Sequence, residues 1–331
     1  MRKLATHFFL IHANLAALFS LAALAQDPAE PPPSLQPGPF VSSLPLAEPA
    51  RATLLGAIGQ RQYHAAEELL AEEAKKNPES QALLLALANV LFLDGKQLNS
   101  IVVLKKAELL GPLDERSRFL LALSYIAIGR KSLASQELES LQQSYPANAV
   151  YPYWLSRLAY RQLDLQRAVT YAQTAVRLDP KFMKAYDQLG LCYAGLNQND
   201  EAVLAFTEAI RLNGAQALHS PWPSMNLGTL FMRLERLDEA ESHLRDSLSI
   251  DSRFPTAHLR LGQVLEKKER LDDAVAELGE AARLDPTYPE PHYALARIYR
   301  KRHKQEKAET ESQLFQELRN ADKAKGITRP D

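Results

Sequence analysis

Residues 185–213 read AYDQLGLCYAGLNQNDEAVLAFTEAIRLN, and this stretch decides the fold. It contains two apolar segments with the 3.6-residue spacing of an amphipathic helix, separated by a polar break from Asn197 to Asp200. Its Leu189 has earlier counterparts at Leu155 and Leu121, and the two intervals are equal. A fixed period of about 34 residues is typical of one helix-turn-helix unit copied along the chain. The sequence therefore predicts an all-α solenoid of stacked helix pairs.

The same period marks the ends of the units, where Pro112, Pro146 and Pro180 recur at equal intervals. The register slips once, because the next leucine of the series is Leu227, four residues later than the period predicts. Insertions in a solenoid fall in loops. We therefore expect the additional residues within Ala215 to Ser220, between two helices.

The repeated residues resemble the tetratricopeptide repeat family, whose unit has a Leu-Gly-x-x-Tyr core followed by Ala, Phe, Ala and a closing Pro. The resemblance implies a right-handed superhelical solenoid of about eight repeats, in which the first helix of each repeat lines a concave groove. Looser copies extend over most of the chain. The clearest copy consists of Tyr186, Leu189, Gly190, Tyr193, Ala202, Phe206 and Ala209.

The first 25 residues have the pattern of a signal peptide. A basic start at Arg2 and Lys3 precedes an apolar run, which ends in the small-x-small sequence Ala23-Leu24-Ala25. The sequence predicts a periplasmic or secreted protein, with an anchor formed by residues 4–25 as the alternative. A role at the membrane is expected only if this segment stays uncleaved.

The rest of the chain divides by composition and register. Residues 26–46 hold seven prolines, which predict a semi-rigid spacer. We expect a degenerate N-terminal repeat at 47–80, and seven repeats with a C-terminal cap at 81–322. Residues 323–331 are expected to form a frayed tail.

Composition and the absence of known motifs reduce the number of function classes that the sequence allows. A net charge of -1 provides no field for nucleic acid, and Cys192 is the only cysteine, so an internal disulfide is impossible. His258 and His292 are one repeat apart, and we expect them to occupy a semi-buried packing position rather than to bind a metal. The chain has no motif for catalysis or for phosphate binding. The sequence therefore predicts a protein that is not an enzyme and that needs no cofactor or metal.

The groove implied by the resemblance is the predicted site, because aromatic residues and arginine dominate protein-binding hot spots. First-helix spacing selects a set of groove residues, and Tyr293 shares their face. The alternative is that the aromatic members pack between helices while the arginines are solvated. The predicted partner-binding residues are Tyr153, Arg157, Tyr160, Arg161, Lys184, Trp222, Asn226, Arg233, Lys267, Arg297 and Arg300.

The sequence thus predicts a non-catalytic scaffold of the cell envelope that holds a peptide or helix of a partner protein. The alternatives are a carbohydrate-binding accessory protein, and a non-catalytic subunit of an envelope enzyme or a secretion complex.

Overall fold

The computed structural model describes Val41 and residues 44–324. The predicted signal peptide, most of the spacer and most of the tail lie outside these residues. Leu44 and Leu46, which we assigned to the spacer, are buried, and Arg51 donates hydrogen bonds to both of their carbonyl oxygens at 3.1 and 3.0 Å. The chain therefore packs closely just before its first described long helix.

Sixteen α-helices follow one another between Glu48 and Ala324, in eight consecutive helix-turn-helix units. The all-α repeat array predicted from the sequence is thereby confirmed. The odd-numbered helix of each unit is its first helix and the even-numbered helix its second. The helices are α1 Glu48–Gly59, α2 Tyr63–Lys76, α3 Gln81–Leu93, α4 Gln97–Glu108, α5 Glu115–Ala127, α6 Lys131–Ser144, α7 Val150–Arg161, α8 Leu165–Leu178, α9 Met183–Gly195, α10 Asn199–Asn213, α11 Trp222–Arg233, α12 Leu237–Ile250, α13 Pro255–Lys267, α14 Leu271–Leu284, α15 Pro289–Lys301 and α16 Gln305–Ala324.

The described residues form two compact units. The N-terminal unit ends at Leu158 and contains α1 to α6 and most of α7. The C-terminal unit begins at Ala159 and contains the end of α7 and α8 to α16. In each unit the leucines of the repeat pattern form the core, with Leu121 and Leu138 fully buried in the first and Leu261 fully buried in the second.

The turn inside every helix pair contains one residue in the left-handed conformation. In the N-terminal unit Arg61 takes this position in the first pair, with φ of 56°, and Gly95 and Gly129 take it in the next two, with φ of 74° and 73°. Other residue types take it in the C-terminal unit, where Glu235 and Glu269 have φ of 59° and 60°. A residue with a side chain is strained in this conformation.

The close approach of paired helices expected at the Leu-Gly positions is present in the C-terminal unit. A Cβ atom added to Gly190 would lie 2.6 Å from the ring of Phe206 on α10. A Cβ atom added to Gly262 would lie 2.7 Å from Leu278 on α14. Glycine therefore fits these crossings without strain, whereas a methyl group would force the facing side chain to shift.

The inserted residues lie between helices, as predicted. Helix α10 ends at Asn213 and α11 begins at Trp222. The Asn213 side chain holds the connection together, because it donates to the carbonyl of Ser220 and accepts from its backbone N–H, both at 2.8 Å. The helices on both sides keep their repeat register.

Candidate functional site

The N-terminal unit contains an aromatic cluster around Arg157 on α7. The Arg157 guanidinium lies 4.4 Å from the ring centroid of Trp154 and 5.5 Å from that of Tyr153, and it donates to the Tyr153 hydroxyl at 3.2 Å. Phe119 on α5 meets Trp154 and Tyr151 edge to face. Arg157 is 4% exposed, so this cation–π arrangement is largely desolvated. The structure brings the predicted Tyr153 and Arg157 together, whereas Trp154 was missed although its i,i+3 spacing to Arg157 was a usable signal.

Two aromatic residues of the predicted partner-binding set contribute to packing within the C-terminal unit. Tyr160 is almost fully buried in a cluster with Val169 and Cys192, and this burial raises the pKa of its hydroxyl. Cys192 is fully buried, as expected of a structural thiol. Trp222 is half-buried, and its ring meets Phe254 edge to face at 4.4 Å. Neither Tyr160 nor Trp222 presents a fully open ring face.

Asn226 and Arg233 on α11 link successive repeats. The buried Asn226 amide donates to both carboxylate oxygens of Asp187 on α9, at 2.9 and 3.0 Å. Arg233 donates to the carbonyl of Ala194 at 2.9 Å and to the side-chain oxygen of Asn199 at 2.8 Å. Burial lowers the pKa of Arg233. These two predicted site residues therefore also hold neighbouring repeats in register.

The predicted basic residue Lys267 belongs to an ion-pair ladder that follows the repeat period. Lys267 contacts Glu235 at 2.7 Å, and one repeat later Lys301 contacts Glu269 at 2.6 Å. A second series of ion pairs has the same period. Lys268 contacts Asp238 at 2.6 Å, and one repeat later Arg302 contacts Asp272 at 2.5 Å. Each of these ion pairs joins a basic side chain to an acidic side chain of the preceding repeat.

Glu241 on α12 is the most connected acid of this ladder. Its carboxylate contacts Lys268 at 2.7 Å and also binds Arg245 and Arg270, each at 2.8 Å. Burial opposes ionisation, but these hydrogen bonds outweigh it and lower the pKa of Glu241 to about 2. Glu241 and Arg245 are therefore partners in a network of ion pairs.

Tyr293 and Arg297 form the most open aromatic–arginine surface on a first helix of the C-terminal unit. Tyr293 is 50% exposed, with its ring centroid 5.8 Å from the Arg297 guanidinium. Arg297 binds Glu266 on α13 through two hydrogen bonds, which raise its pKa and fix its orientation. On the other side, the Tyr293 ring lies 5.3 Å from that of Phe315 on α16.

The remaining predicted residues have diverse surroundings. Arg300 is directed toward the second helix of its own pair, where it donates to the Ser312 hydroxyl at 2.8 Å. Lys184 is exposed and Arg161 is partly exposed.

Acidic partners reduce the positive charge that the predicted residues offer. Lys267 and Arg297 both lie in ion pairs, and sequence reasoning missed their partners Glu235 and Glu266. The signal was present, because each acid precedes its cation by 31 or 32 residues. That is just less than one repeat, so adjacent first helices or their turns bring the two together.

A pair of histidine contacts also follows the repeat period. His258 Nδ1 lies 2.6 Å from Glu277, and His292 Nδ1 lies 2.7 Å from Glu311, so each joins the two helices of one unit. Burial alone would lower the pKa of His258, but hydrogen bonds to Glu277 and to the Ser252 carbonyl raise it overall. The semi-buried position expected for both histidines is confirmed.

One group of potential metal ligands occurs within residues 44–324, formed by His64, Glu67 and Asp94. The Lys96 ammonium lies 2.5 Å from Glu67 and 2.8 Å from Asp94. A lysine of the protein therefore already neutralises part of the charge of these two carboxylates.

None of the helices in the described part of the chain combines the length and apolar character needed to cross a bilayer.

The paired helices, left-handed turns and Leu-Gly crossings define the class, a helical repeat protein. Three family models, each described as tetratricopeptide repeat, match residues 54–101 with 153–217, residues 116–148 and residues 231–298. Together they match well over half of the sequence. The chain belongs to the tetratricopeptide repeat family.

Solved structures share this fold. A tetratricopeptide repeat protein from Parabacteroides merdae ATCC 43184 aligns with a TM-score of 0.61 and 14% identity, over 72% of this chain and 93% of its own. A chain of the APC/C hetero-tetramer Cut9-Hcn1 aligns with a TM-score of 0.60 and 18% identity, over 69% of this chain and 45% of its own. The aligned part of this chain thus covers less than half the length of the Cut9-Hcn1 chain. No curated protein sequence matches significantly.

Proposed function

We propose that this protein is a non-catalytic scaffold of the cell envelope that binds a peptide or helix of a partner protein along its first helices. Repeat arrays expose long surfaces that suit such segments. The Cut9-Hcn1 structure, which shares the fold, is a hetero-tetramer of protein chains. Export is a separate part of the proposal, based on residues 1–25.

The Tyr293–Arg297 surface is the single observation that carries the binding proposal. A half-exposed tyrosine has area to lose to a partner, and its Arg297 neighbour is already oriented by Glu266. Tyr and Arg in fixed positions make strong anchors because little conformational entropy remains to be lost. Trp222 and Tyr160 offer less ring surface, so the structure gives no specific support to the carbohydrate alternative.

The binding test has two stages. The protein is first used to capture a partner from an envelope extract, and that partner is identified and purified. Its affinity is then measured for the parent protein and for Tyr293→Ala. We expect at least a tenfold loss at unchanged helicity, since truncating an anchor costs about 2 kcal/mol or more.

Arg283→Ala is the matched control, because Arg283 lies on a second helix and pairs with Glu280 in the same helix. We expect its affinity to match the parent. Equal losses in Tyr293→Ala and Arg283→Ala, or no loss in either, would place the contact elsewhere and contradict the proposed surface.

The export proposal is tested by the N-terminus of the protein in the cell. We expect protein from the envelope fraction to begin at Gln26, because signal peptidase cleaves after small-x-small sequences such as Ala23-Leu24-Ala25. An intact Met1 on membrane-bound protein would favour the anchor, and intact protein in the soluble cell extract would contradict export.

A further inference from the structure

One position of the first helices is buried in the N-terminal unit and partly exposed in the C-terminal unit. It lies two residues after the leucine of the repeat, and in the predicted partner-binding set Arg157 and Arg297 hold it. In α9, α11 and α13 the side chains at this position are partly exposed, and they belong to Leu191, Thr229 and Gln263. In α3, α5 and α7 they are 4%, 6% and 4% exposed, and they belong to Asn89, Leu123 and Arg157. Helix stacking leaves this position partly open in one unit, so its burial in the other indicates that a further segment covers it.

The chemistry of the buried residues suits an extended peptide as the covering segment. Among residues 44–324, no hydrogen-bond donor meets the buried Oδ1 atom of Asn89. A buried amide oxygen without a donor costs free energy, which a hydrogen bond would restore. The backbone N–H groups of an extended segment are donors of this kind.

The point at which the described chain begins identifies the segment. Val41 is fully buried, and Leu44 and Leu46 that follow it are 3% and 6% exposed. All three residues belong to the N-terminal unit. Residues 26–40 are therefore joined to a packed part of the same unit, directly before α1.

The length of this segment is sufficient to reach α7. Residues 26–40 number fifteen, and a proline-rich chain rises about 3.1 Å per residue, so they span about 46 Å. Helix α7 is the first helix three repeats after α1. Helices packed side by side are about 10 Å apart, so the distance to cover is about 30 Å. Pro31, ten residues before Val41, would then lie close to α7.

The composition of the segment complements the cluster around Arg157. Residues 26–40 contain six prolines and the acids Asp27 and Glu30, but no lysine or arginine. Proline-rich segments dock in grooves lined by aromatic rings, because their polyproline II conformation is already ordered before binding. Helix α7 supplies such rings at Tyr153 and Trp154, both stacked with the Arg157 guanidinium. An acidic segment brings no like charge to this guanidinium.

We propose that residues 26–40 lie along the first helices of the N-terminal unit of their own chain, with Pro31, Pro32 and Pro33 against the aromatic cluster around Arg157. The segment expected to be a spacer is then a tethered ligand, and it closes this surface to other peptides while it is bound. The inference does not depend on the proposed partner binding, which the Tyr293–Arg297 surface of the C-terminal unit carries.

Tryptophan fluorescence of the full chain tests the contact, because Trp154 and Trp222 are the only tryptophans. In a Trp222→Phe background the emission reports on Trp154 alone. We expect the combined change Pro31→Ser, Pro32→Ser and Pro33→Ser to raise the acrylamide quenching constant at least twofold at unchanged helicity, because the ring loses its cover. All variants share residues 1–25, so any effect of that segment is common to them.

Trp222 provides the matched control, since it lies in the C-terminal unit. In a Trp154→Phe background the same three serines should leave the quenching of Trp222 unchanged. Unchanged quenching of Trp154, or an equal rise at both tryptophans, would overturn the proposal. Quenching of Trp154 that rises when the parent chain is diluted would assign the bound segment to a second copy and overturn the contact within one chain.

A synthetic peptide of residues 26–40 tests the occupant directly. It should bind the triple-serine variant, and bind the parent at least tenfold more weakly, because the tethered segment competes at an effective concentration in the millimolar range. A peptide carrying the same three serines is the control, and its affinity for the variant should be at least tenfold lower. Equal affinity of the natural peptide for parent and variant, or no binding to the variant, would overturn the assignment of the segment.

Discussion

The two units of the molecule build the same helix pair in different ways. In the C-terminal unit, Gly190 and Gly262 allow the second helix to approach so closely that an added Cβ would collide with Phe206 or Leu278. In the N-terminal unit the same position holds Ala88 and Ala122, both fully buried. A methyl group is thus accommodated at the crossings of Ala88 and Ala122, whereas at the crossings of Gly190 and Gly262 it would overlap a side chain of the second helix. The comparison teaches that the same position of the repeat can hold glycine or alanine, and that the side chain facing it on the second helix decides whether a methyl group has space.

In the turns, glycine has the opposite distribution between the two units. The N-terminal unit places Gly95 and Gly129 in the left-handed position of two turns and Arg61 in that of its first turn, whereas all turns of the C-terminal unit place a residue with a side chain there, including Leu163 with φ of 61°. Glu235 and Glu269 occupy this position while binding Lys267 and Lys301 of the next repeat. Their carboxylates thus gain an ion pair that glycine could not provide, which offsets part of the backbone strain.

The largest expected effect concerns the helix crossing. Gly190→Ala should lower the free energy of unfolding by about 1–3 kcal/mol, because its methyl group would overlap the buried Phe206 ring. Chemical denaturation of the purified protein provides the measurement. Ala122→Gly is the counterpart in the N-terminal unit, and it should cost about 0.5–1 kcal/mol by adding backbone freedom. Equal costs for the two substitutions would remove the distinction between the crossings.

The turn comparison predicts a smaller effect of opposite sign in the two units. Leu163 is exposed and left-handed, so Leu163→Gly should raise the free energy of unfolding by about 1 kcal/mol. Gly129→Ala should lower it by about the same amount, since alanine would be strained there. Thermal and chemical unfolding of both variants would show this. Destabilisation by Leu163→Gly would mean that its side chain contributes more than its backbone strain costs.

The smallest expected effect is a pH dependence confined to the C-terminal unit. The pKa of His258 is raised in the folded protein, so its contact with Glu277 stabilises fully below about pH 6.5. This contribution is lost as the pH rises through the folded-state pKa. The stability difference between the parent and His258→Gln should therefore shrink as the pH increases from acidic to mildly alkaline. His219→Gln, in the exposed inserted loop, is the control, and the same pH trend in both variants would contradict the assignment to His258.

Much of the fold could be predicted from the sequence because it depends on local spacing. The recurrence of Leu121, Leu155 and Leu189 specifies helix pairs, and the shift to Leu227 locates an insertion between helices. Apolar periodicity acts over a few turns, and a fixed repeat length carries it along the chain.

The candidate site could be predicted only in part. First-helix spacing correctly brought Tyr153 and Arg157 together, but it could not show that Arg157 is buried against Trp154. It also treated Lys267 and Arg297 as open charges. Whether a charge is balanced depends on contacts between repeats, which residue-by-residue reasoning does not include.

The sequence by itself determined the helical repeat and its period, because periodicity alone decides which residues share a helix face. Only the tertiary structure decided which of those residues meet across helices. Glu235, Glu266 and Glu269 neutralise cations of the following repeat because stacking brings together residues that are nearly one repeat apart in the sequence. Whether a basic side chain of the first helices is exposed and unbalanced therefore depends on how neighbouring repeats stack, and not on the sequence of any single repeat.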